Sequence, residues 1–390
     1  MRVLFTTQPG TGHWRPLAPL AAELLAAGHE AAFAASPGFC ADIGRFGFRC
    51  FPLGVDDYRA EFARQQAGLA PPVPPSSVSV MADVFLPRSA RNLPELLAAC
   101  RAWRPDVVVR EPTEYGGALA AELLEVPCAV LQISAYRPHL NRALAAPMAR
   151  LRGELGLPPD PALAMLTGAL LLLPFPPSLL EPGVGMPPTA RFVRHVPFDL
   201  ERPGETALPD WLDVLTFRKP VVYVSLGTSY NYTPGVFEAV LAGLGGEPVT
   251  LIVTTGGRDP AAFGPRPSHV HLLRYLPQSL VFPRCDLVVT HGGSGTVRTV
   301  LAHGLPLVVV PIAADQPDNA RRCAALGVAR TVAPDERTPG AVRSAVRDVL
   351  ADPSYRDNAR RLRAEFAALP GLESAVALLD ALAAGKALPG

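Results

Sequence analysis

The sequence predicts an α/β protein built from two doubly wound, Rossmann-like domains that face each other across a cleft. At 390 residues the chain is longer than one typical core accommodates, so two domains are expected. Strand-like apolar runs alternate with helical runs in both halves, which is typical of parallel sheets covered by helices on both faces. Periodicity is lost over 197–209, where the linker is expected, so the predicted domains are 1–200 and 201–365, followed by a terminal helical segment, 366–390.

Each predicted strand is followed by a loop and then by a helix. In the first half, Val3–Thr6 leads through the loop Gln8–Arg15 into a helix at Pro16–Ala27. Further predicted strands in that half are Ala31–Ala34, Arg49–Leu53, Asp106–Val109 and Cys128–Leu131. In the second half, the strands Pro220–Ser225 and Val249–Val253 flank a helix at Pro234–Leu244. Ligands of such sheets bind beyond the carboxyl ends of the strands, so the loops at those ends are the places to look for a site.

Composition excludes several classes of partner. Net charge is +1 and charged residues make up 18% of the chain, so neither nucleic acid nor an anionic membrane surface is indicated. The six cysteines include no CxxC pair, which favours reduced thiols over a zinc site or a disulfide framework. The chain begins with a strand-like run instead of a signal peptide, and its longest apolar run, Leu163–Leu173, is too short to span a bilayer. We therefore expect a soluble, cytoplasmic protein without stable membrane insertion.

The stretch Asp286–Asn319 predicts an anion site. It reads DLVVTHGGSGTVRTVLAHGLPLVVVPIAADQPDN, in which a buried strand, a glycine-rich turn, a helix and a second buried strand follow one another. The first N–H groups of a helix lack intrahelical partners, and the helix dipole favours negative charge there. A phosphate or diphosphate is the simplest anion for that position.

His13 is the candidate general base. It lies in the loop after the first strand, and imidazole titrates near neutral pH. A carboxylate would be needed to hold its tautomer; Glu111, just past the strand Asp106–Val109, is the best-placed partner and Glu114 a competitor. The alternative is a histidine that only caps the first helix. Gly10–Arg15 is a weak dinucleotide motif because Arg15 replaces the third glycine, and no P-loop is present.

No metal or other cofactor is expected. Asp315 and Asp318 lie where a helix begins, and carboxylates commonly cap helices at that position. His269 and His271 are two apart on a predicted strand without a nearby carboxylate or cysteine to complete a ligand set. No DxD triplet occurs, which further disfavours metal-dependent sugar transfer.

Three motifs together resemble the GT-B nucleotide-sugar glycosyltransferases of family 1, in the branch that decorates macrolides, polyketides and aromatic antibiotics. They are GTGHWRPLAPLAAELLAAGHE near the start, SLGTS at 225–229 and the long block from Tyr275 to Ala320. The resemblance spans nearly the whole chain. It implies an acceptor-binding first domain, a nucleotide-sugar-binding second domain and a last helix that packs back on the first.

The resemblance also implies roles for individual residues. His13 matches the family's catalytic base and Glu111 its acidic partner. Tyr275 corresponds to the aromatic platform under the nucleobase, and Gln278 would lie beside the base and ribose. Asp315 and Gln316 match the pair that hydrogen-bonds the hydroxyls of the donor sugar. The residues expected around the diphosphate are Thr228, His291, Gly293, Ser294, Gly295 and Thr296.

Thr299 is an informative departure from the UDP-sugar members of this family. Many of them carry a glutamate there, whose carboxylate bonds both ribose hydroxyls, whereas transferases of deoxysugars often have threonine. A 2′-deoxyribose offers only one hydroxyl at that place, so Thr299 favours a dTDP-sugar donor over a UDP-sugar.

The expected reaction is an inverting, metal-independent transfer of a sugar or deoxysugar to a hydroxyl of a hydrophobic aglycone. Two alternatives keep the fold but change the activity, namely a sugar-nucleotide epimerase and an inactive auxiliary protein. The irregular regions Gly54–Ser79 and Leu131–Leu144 are expected to bind the acceptor, with the apolar stretch Pro174–Pro188 nearby. The sequence leaves open which acceptor and which sugar are used, whether the new bond is to oxygen, nitrogen or carbon, whether an activating partner is needed, and whether the protein is a homodimer.

Overall fold

The computed structural model describes residues 1–55, 77–199, 212, 219–227 and 232–388. Most of the predicted loop Gly54–Ser79, the linker from residue 200 onward and Thr228 therefore lie outside the described residues. The chain folds into two compact units. Of the described residues, the first unit contains 1–55, 77–198 and 369–388, and the second contains Asp199 and those that follow it up to Ala368.

The first unit contains a seven-stranded parallel sheet with the spatial order β3-β2-β1-β4-β5-β6-β7. Its strands are β1 (Arg2–Thr6), β2 (Glu30–Ala35), β3 (Arg49–Pro52), β4 (Val107–Arg110), β5 (Cys128–Leu131), β6 (Leu170–Leu173) and β7 (Ala190–Phe192). The helices of this unit are α1 (Thr11–Trp14), α2 (Ala18–Ala26), α3 (Pro37–Arg45), α4 (Leu86–Trp103), α5 (Gly116–Leu123) and α6 (Ala145–Glu154). Alternate side chains of β1 enter separate apolar clusters, Val3 and Phe5 one and Leu4 the other. The sheet is therefore buried on both faces, as the apolar runs predict.

The second unit contains a six-stranded parallel sheet with the order β10-β9-β8-β11-β12-β13. Its strands are β8 (Val221–Ser225), β9 (Thr250–Thr254), β10 (Val270–Leu273), β11 (Leu287–Thr290), β12 (Leu307–Val309) and β13 (Ala329–Thr331). The helices that follow are α7 (Val236–Leu244), α8 (Gln278–Val281), α9 (Ser294–Ala302), α10 (Gln316–Ala325), α11 (Pro339–Ala351) and α12 (Pro353–Ala368), and the last helix is α13 (Leu372–Ala383). Two parallel-sheet α/β domains of this kind confirm the predicted fold class.

Each sheet has one point at which its strand order reverses, and the predicted motifs follow the strands at that point. In the first sheet it lies between β1 and β4, where Thr6 pairs with Arg110. In the second it lies between β8 and β11, where Ser225 pairs with Thr290. Loops from two neighbouring strands diverge there and leave a crevice, which is the usual ligand position in open α/β sheets.

The structure adds elements that periodicity did not reveal. β6 lies inside the apolar run Leu163–Leu173, and its four leucines are all buried. A strand buried on both faces shows no alternation, so it cannot be recognised by period. The helices α3 and α6 were also missed, and the predicted first helix begins earlier, with α1 and a 3₁₀ turn at Arg15–Leu17 before α2.

The last helix packs on the first unit. Ala375, Val376 and Leu379 of α13 belong to the same apolar cluster as Leu17 and Leu24 of the α2 region. None of the helices in the described ranges is by itself long and apolar enough to cross a membrane, although α12 and α13 taken together satisfy the length and composition criteria.

The expectation of six reduced thiols is wrong for two of them. Cys40 on α3 and Cys50 on β3 form a disulfide, with their Cα atoms 5.3 Å apart. The two cysteines are 10 residues apart in the chain, and a short turn after α3 brings Cys50 next to Cys40. The spacing of the cysteines in the sequence does not reveal this proximity. The other four cysteines, Cys100, Cys128, Cys285 and Cys323, are free thiols.

Candidate active site

His13 and Glu111 meet at the carboxyl edge of the first sheet. His13 lies on α1 after β1, Glu111 directly follows β4, and His13 Nδ1 is 3.0 Å from Glu111 Oε1. The Glu111 side chain is fully buried, whereas 26% of the His13 side chain is exposed. An ionised carboxylate only accepts hydrogen bonds, so Nδ1 carries the proton and Nε2 is the basic nitrogen. This is the arrangement of a general base oriented by a carboxylate.

Glu111 is held as an anion by the loop around it. Its Oε2 accepts a hydrogen bond from Thr113 N (2.7 Å), its Oε1 accepts one from Gln8 N (3.2 Å), and the Thr113 hydroxyl donates to the carboxylate at 2.8 Å. Burial by itself raises the pKa of Glu111, but the charge and hydrogen bond of His13, together with the two hydrogen bonds from Thr113, outweigh it and leave the pKa below its usual value. The carboxylate is therefore ionised at neutral pH and available to stabilise an imidazolium.

The loop that carries Glu111 is organised by Arg110, which the sequence analysis did not identify. The Arg110 side chain is fully buried. Its Nη1 donates to the carbonyl oxygens of Glu111 (3.0 Å), Pro112 (3.1 Å) and Glu114 (3.1 Å), and its Nη2 donates to Leu166 O (2.6 Å). A guanidinium supplies five donors in a fixed plane, so one side chain sets the path of the loop. The available signal was an arginine that ends the buried run VVVR.

Glu114, the competing partner for His13, has a different set of contacts. Its carboxylate accepts from Gly116 N (2.8 Å) and Gly117 N (2.7 Å) at the start of α5 and also from the Thr6 hydroxyl. Burial raises the pKa of Glu114. Its contacts are those of a helix cap, so the structure pairs His13 with Glu111.

His291 follows β11 at the reversal point of the second sheet, and its ring lies against two glycines. A Cβ atom would lie 2.6 Å from His291 Nε2 if added to Gly227 and 2.5 Å if added to Gly293, so a side chain at either position would displace the ring. Gly227 also has a φ of +77°, which favours glycine. Burial lowers the pKa of His291 to about 4. Without a bound anion, the imidazole is therefore neutral at physiological pH.

α9 begins beside His291. Gly293 is the N-cap residue, and no side chain within the described part of the chain caps the helix. Gly295 is exposed and Thr296 is half-buried, so the first turn is accessible. The N–H groups of this turn have no intrahelical partners, as an anion site requires.

Ser294 and Asp315 are in contact. The Ser294 hydroxyl donates to Asp315 Oδ2 at 2.6 Å, so it is committed to the neighbouring loop. Asn319 Nδ2 donates to Asp315 Oδ2 (3.2 Å) and to Gly292 O (2.8 Å), which ties α10 to the glycine-rich turn. Gln316 is buried, and its Oε1 accepts from Ile312 N (2.7 Å) and Ala313 N (2.9 Å). Gln316 is thus held in place by its own loop, and Asp315 by side chains of α9 and α10.

Tyr275, Gln278 and Thr299 are the residues expected near the nucleoside. Tyr275 is half-buried after β10, and Gln278 is the first residue of α8, where its side chain hydrogen-bonds the Tyr223 hydroxyl. Thr299 lies in the second turn of α9, is 5% exposed and donates its hydroxyl proton to Gly295 O at 2.9 Å. The structure therefore offers no carboxylate at position 299 for a pair of ribose hydroxyls.

Comparison with known proteins identifies the family. Residues 22–227 match the N-terminal domain and residues 238–382 the C-terminal domain of the family described as erythromycin biosynthesis protein CIII-like. The chain belongs to this family of natural-product glycosyltransferases. It is 31% identical to 4′-demethylrebeccamycin synthase of Lentzea aerocolonigenes, over 98% of this chain and 99% of the relative. It is 30% identical to 10-deoxymethynolide desosaminyltransferase of Streptomyces venezuelae, over 100% and 99% of the two chains.

Solved structures extend the comparison to the fold. The glycosyltransferase SsfS6 of Streptomyces sp. SF2575, crystallised with thymidine diphosphate, superposes with a TM-score of 0.77 at 28% identity, covering 97% of this chain and 99% of that one. The glycosyltransferase SnogD of Streptomyces nogalater gives a TM-score of 0.78 at 30% identity, with 98% and 99% covered. The fold is therefore GT-B, and the protein is a glycosyltransferase.

Proposed function

We propose that this glycosyltransferase transfers a deoxysugar from a dTDP-sugar to a hydroxyl group of a hydrophobic aglycone, with inversion at the anomeric carbon. The observation that carries the proposal is the His13–Glu111 pair, in which a buried carboxylate 3.0 Å from Nδ1 leaves Nε2 as the basic nitrogen. An acceptor hydroxyl needs such a base as its oxygen forms a bond, because its own pKa is far above neutrality.

In the proposed single displacement, the acceptor oxygen attacks the anomeric carbon from the face opposite the diphosphate. The O–H proton passes to His13 Nε2, and the bond from the anomeric carbon to the diphosphate oxygen breaks, with its electron pair leaving on dTDP. Glu111 stabilises the imidazolium that forms. The charge that develops on the diphosphate is met by the first turn of α9 and by His291. Fixed donors of this kind stabilise developing charge by roughly 3–4 kcal/mol each, so we propose that no metal ion is required.

Asp315 and Gln316 are proposed to bind the donor sugar. Their loop already fixes Gln316 Oε1 through Ile312 N and Ala313 N, which leaves the Gln316 amide N–H groups for sugar oxygens. Asp315 Oδ2 accepts from Ser294 and Asn319, and its carboxylate would accept sugar hydroxyls in the same site.

The acceptor is proposed to bind beside Thr113. A cavity of about 60 Å³ lies there, lined by Thr113, Met81, Tyr136 and Leu140 among others. Thr113 also donates to Glu111, so a ligand in this cavity would lie next to the catalytic pair. Apolar residues and polar ones such as Gln132, Ser134 and Asn141 contribute to the lining in similar numbers, and the volume admits only part of an aglycone. We propose that this part is the one that carries the reacting hydroxyl.

The donor assignment makes a thermodynamic prediction. Thr299 supplies no carboxylate for a ribose diol, and SsfS6, which is similar to this chain, was crystallised with thymidine diphosphate. We therefore expect dTDP to raise the melting temperature more than UDP does at equal concentration, because stabilisation grows with the logarithm of ligand concentration over Kd. A larger shift with UDP would contradict the dTDP assignment while leaving the transferase assignment intact.

A further inference from the structure

We infer that Asp199, which lies in the predicted linker and outside every sequence motif, positions the segment that binds the nucleobase. The inference rests on the proposed function, because it takes Tyr275 and Gln278 as the base-binding residues. Asp199 Oδ2 accepts a hydrogen bond from Ser279 N at 2.6 Å, and Oδ1 accepts one from the Ser279 hydroxyl at 2.8 Å. The Tyr275 hydroxyl donates to the backbone carbonyl oxygen of Asp199. One residue thus fastens both ends of the segment 275–279.

The carboxylate compensates for a weakness of α8. This helix has only four residues, begins at Gln278 with Pro277 at the N-cap, and receives no cap from its own N-cap side chain. An isolated helix of this length is unstable in water, and its orphan N–H groups need acceptors. Asp199 provides a charged acceptor for one of them, and charge-assisted hydrogen bonds are about twice as strong as neutral ones. Gln278, the first residue of α8, is thereby held in a fixed position beside the proposed base site.

The tyrosine contact fixes the ring at the other end. Tyr275 is half-buried, and its ring turns about two side-chain bonds only. With the hydroxyl anchored to the Asp199 carbonyl, the plane of the ring is set before a base arrives. A stacking platform that is already oriented loses less conformational entropy on binding, so the anchor contributes to affinity without touching the ligand. Asp199 is therefore a positioning residue for nucleobase recognition.

Phe198, the preceding residue, provides a matched control. Its ring packs in the first unit, 4.9 Å from the Phe46 ring and 5.8 Å from the Trp14 ring. Its contacts therefore differ entirely from those of Asp199, although the two residues share a peptide bond. Phe198→Leu disturbs the same point of the chain without removing any hydrogen bond to Tyr275 or Ser279.

The test measures the binding of dTDP and of inorganic pyrophosphate by calorimetry. It compares the wild-type protein with three variants, Asp199→Asn, Asp199→Ala and Phe198→Leu. Pyrophosphate binds through the glycine-rich turn and α9 and does not need the base segment. We expect Asp199→Ala to bind dTDP about tenfold more weakly, the loss that corresponds to one strong cap, and to bind pyrophosphate as tightly as the wild type. Asp199→Asn keeps an amide oxygen that can accept from Ser279 N, so we expect it to lose less dTDP affinity than Asp199→Ala. Phe198→Leu should bind dTDP within about twofold of the wild type, even where its melting temperature falls.

A double variant tests whether the contact to Ser279 carries part of the effect. Adding Ser279→Ala to Asp199→Ala should weaken dTDP binding no further than Asp199→Ala alone, since the two residues share one interaction. Equal losses of dTDP and pyrophosphate affinity would show general damage to the unit and overturn the inference, as would unchanged dTDP affinity in both Asp199 variants. A wild-type protein that binds neither dTDP nor UDP would instead overturn the proposed function.

Discussion

His13→Ala is expected to reduce turnover by about 10²–10⁴-fold, which is the usual contribution of a general base. The imidazole is proposed to accept the proton of the acceptor hydroxyl, and alanine offers no basic atom in place of Nε2 at this 26% exposed position. dTDP affinity should remain close to the wild-type value, since the proposed nucleotide site lies on the other unit. Initial rates at saturating substrate and calorimetric binding of dTDP measure the two quantities separately.

His29→Ala is the matched control for this variant. His29 is also a half-buried histidine of the first unit, but its contacts are the N-terminal amine at 3.2 Å and Asp380 at 3.5 Å. Removing it should cost some stability and leave turnover at the wild-type level. Wild-type turnover in His13→Ala would refute the assignment of the base.

Glu111→Gln is expected to reduce turnover by the same order of magnitude, about 10²–10⁴-fold, at nearly unchanged side-chain volume, because it removes the general-base function of His13. Three neighbouring donors, Gln8 N, Thr113 N and the Thr113 hydroxyl, compete for the single amide oxygen. The Thr113 N bond at 2.7 Å places that oxygen where Oε2 lies now, which leaves the amide N–H₂ facing His13 Nδ1. Nδ1 would then accept a hydrogen bond and Nε2 would carry the proton, so the histidine could no longer serve as a base. The measurement is the turnover rate, with dTDP affinity as a check on folding.

Glu114→Gln tests whether the two buried carboxylates, Glu111 and Glu114, have different roles. Glu114 accepts bonds from Gly116 N and Gly117 N, so its amide variant leaves a buried donor without an acceptor and should lower the free energy of unfolding by about 1–3 kcal/mol. Turnover measured well below the melting temperature should stay within a few-fold of the wild type. If Glu114→Gln lost as much turnover as Glu111→Gln while still folded, the pairing of His13 with Glu111 alone would be wrong.

The sequence predicted the parts of the fold that depend on residues close to one another along the chain. The run Asp286–Asn319 indicated a strand, a glycine-rich turn and a helix, and the structure has β11, α9 and β12 there. The pairing of His13 with Glu111 was predicted with the help of the family resemblance, and the structure shows that the two residues follow strands that are neighbours at the reversal point of the sheet. The sequence alone did not exclude Glu114, because distinguishing two carboxylates three residues apart requires the path of the loop.

Other features depend on contacts between distant segments and were missed for that reason. In the sequence, Arg110 is a single charged residue at the end of an apolar run. Only the structure shows that its guanidinium donates hydrogen bonds to carbonyl oxygens of the loop that carries Glu111. The disulfide of Cys40 and Cys50 depends on how α3 returns to β3. Asp199 lies in a stretch without periodicity, and its partners Tyr275 and Ser279 are 76 and 80 residues further along the chain.

The most direct test of the central claim is whether donor consumption requires an acceptor. The protein is incubated with a dTDP-deoxysugar, with and without a panel of hydrophobic aglycones, and dTDP release and product masses are followed together. The account predicts that dTDP appears only when an accepted aglycone is present, in equal amount to a product whose mass equals aglycone plus sugar minus water. It also predicts that His13→Ala slows both by about 10²–10⁴-fold. Conversion of the dTDP-sugar to an isomer without any aglycone would contradict it and indicate an epimerase.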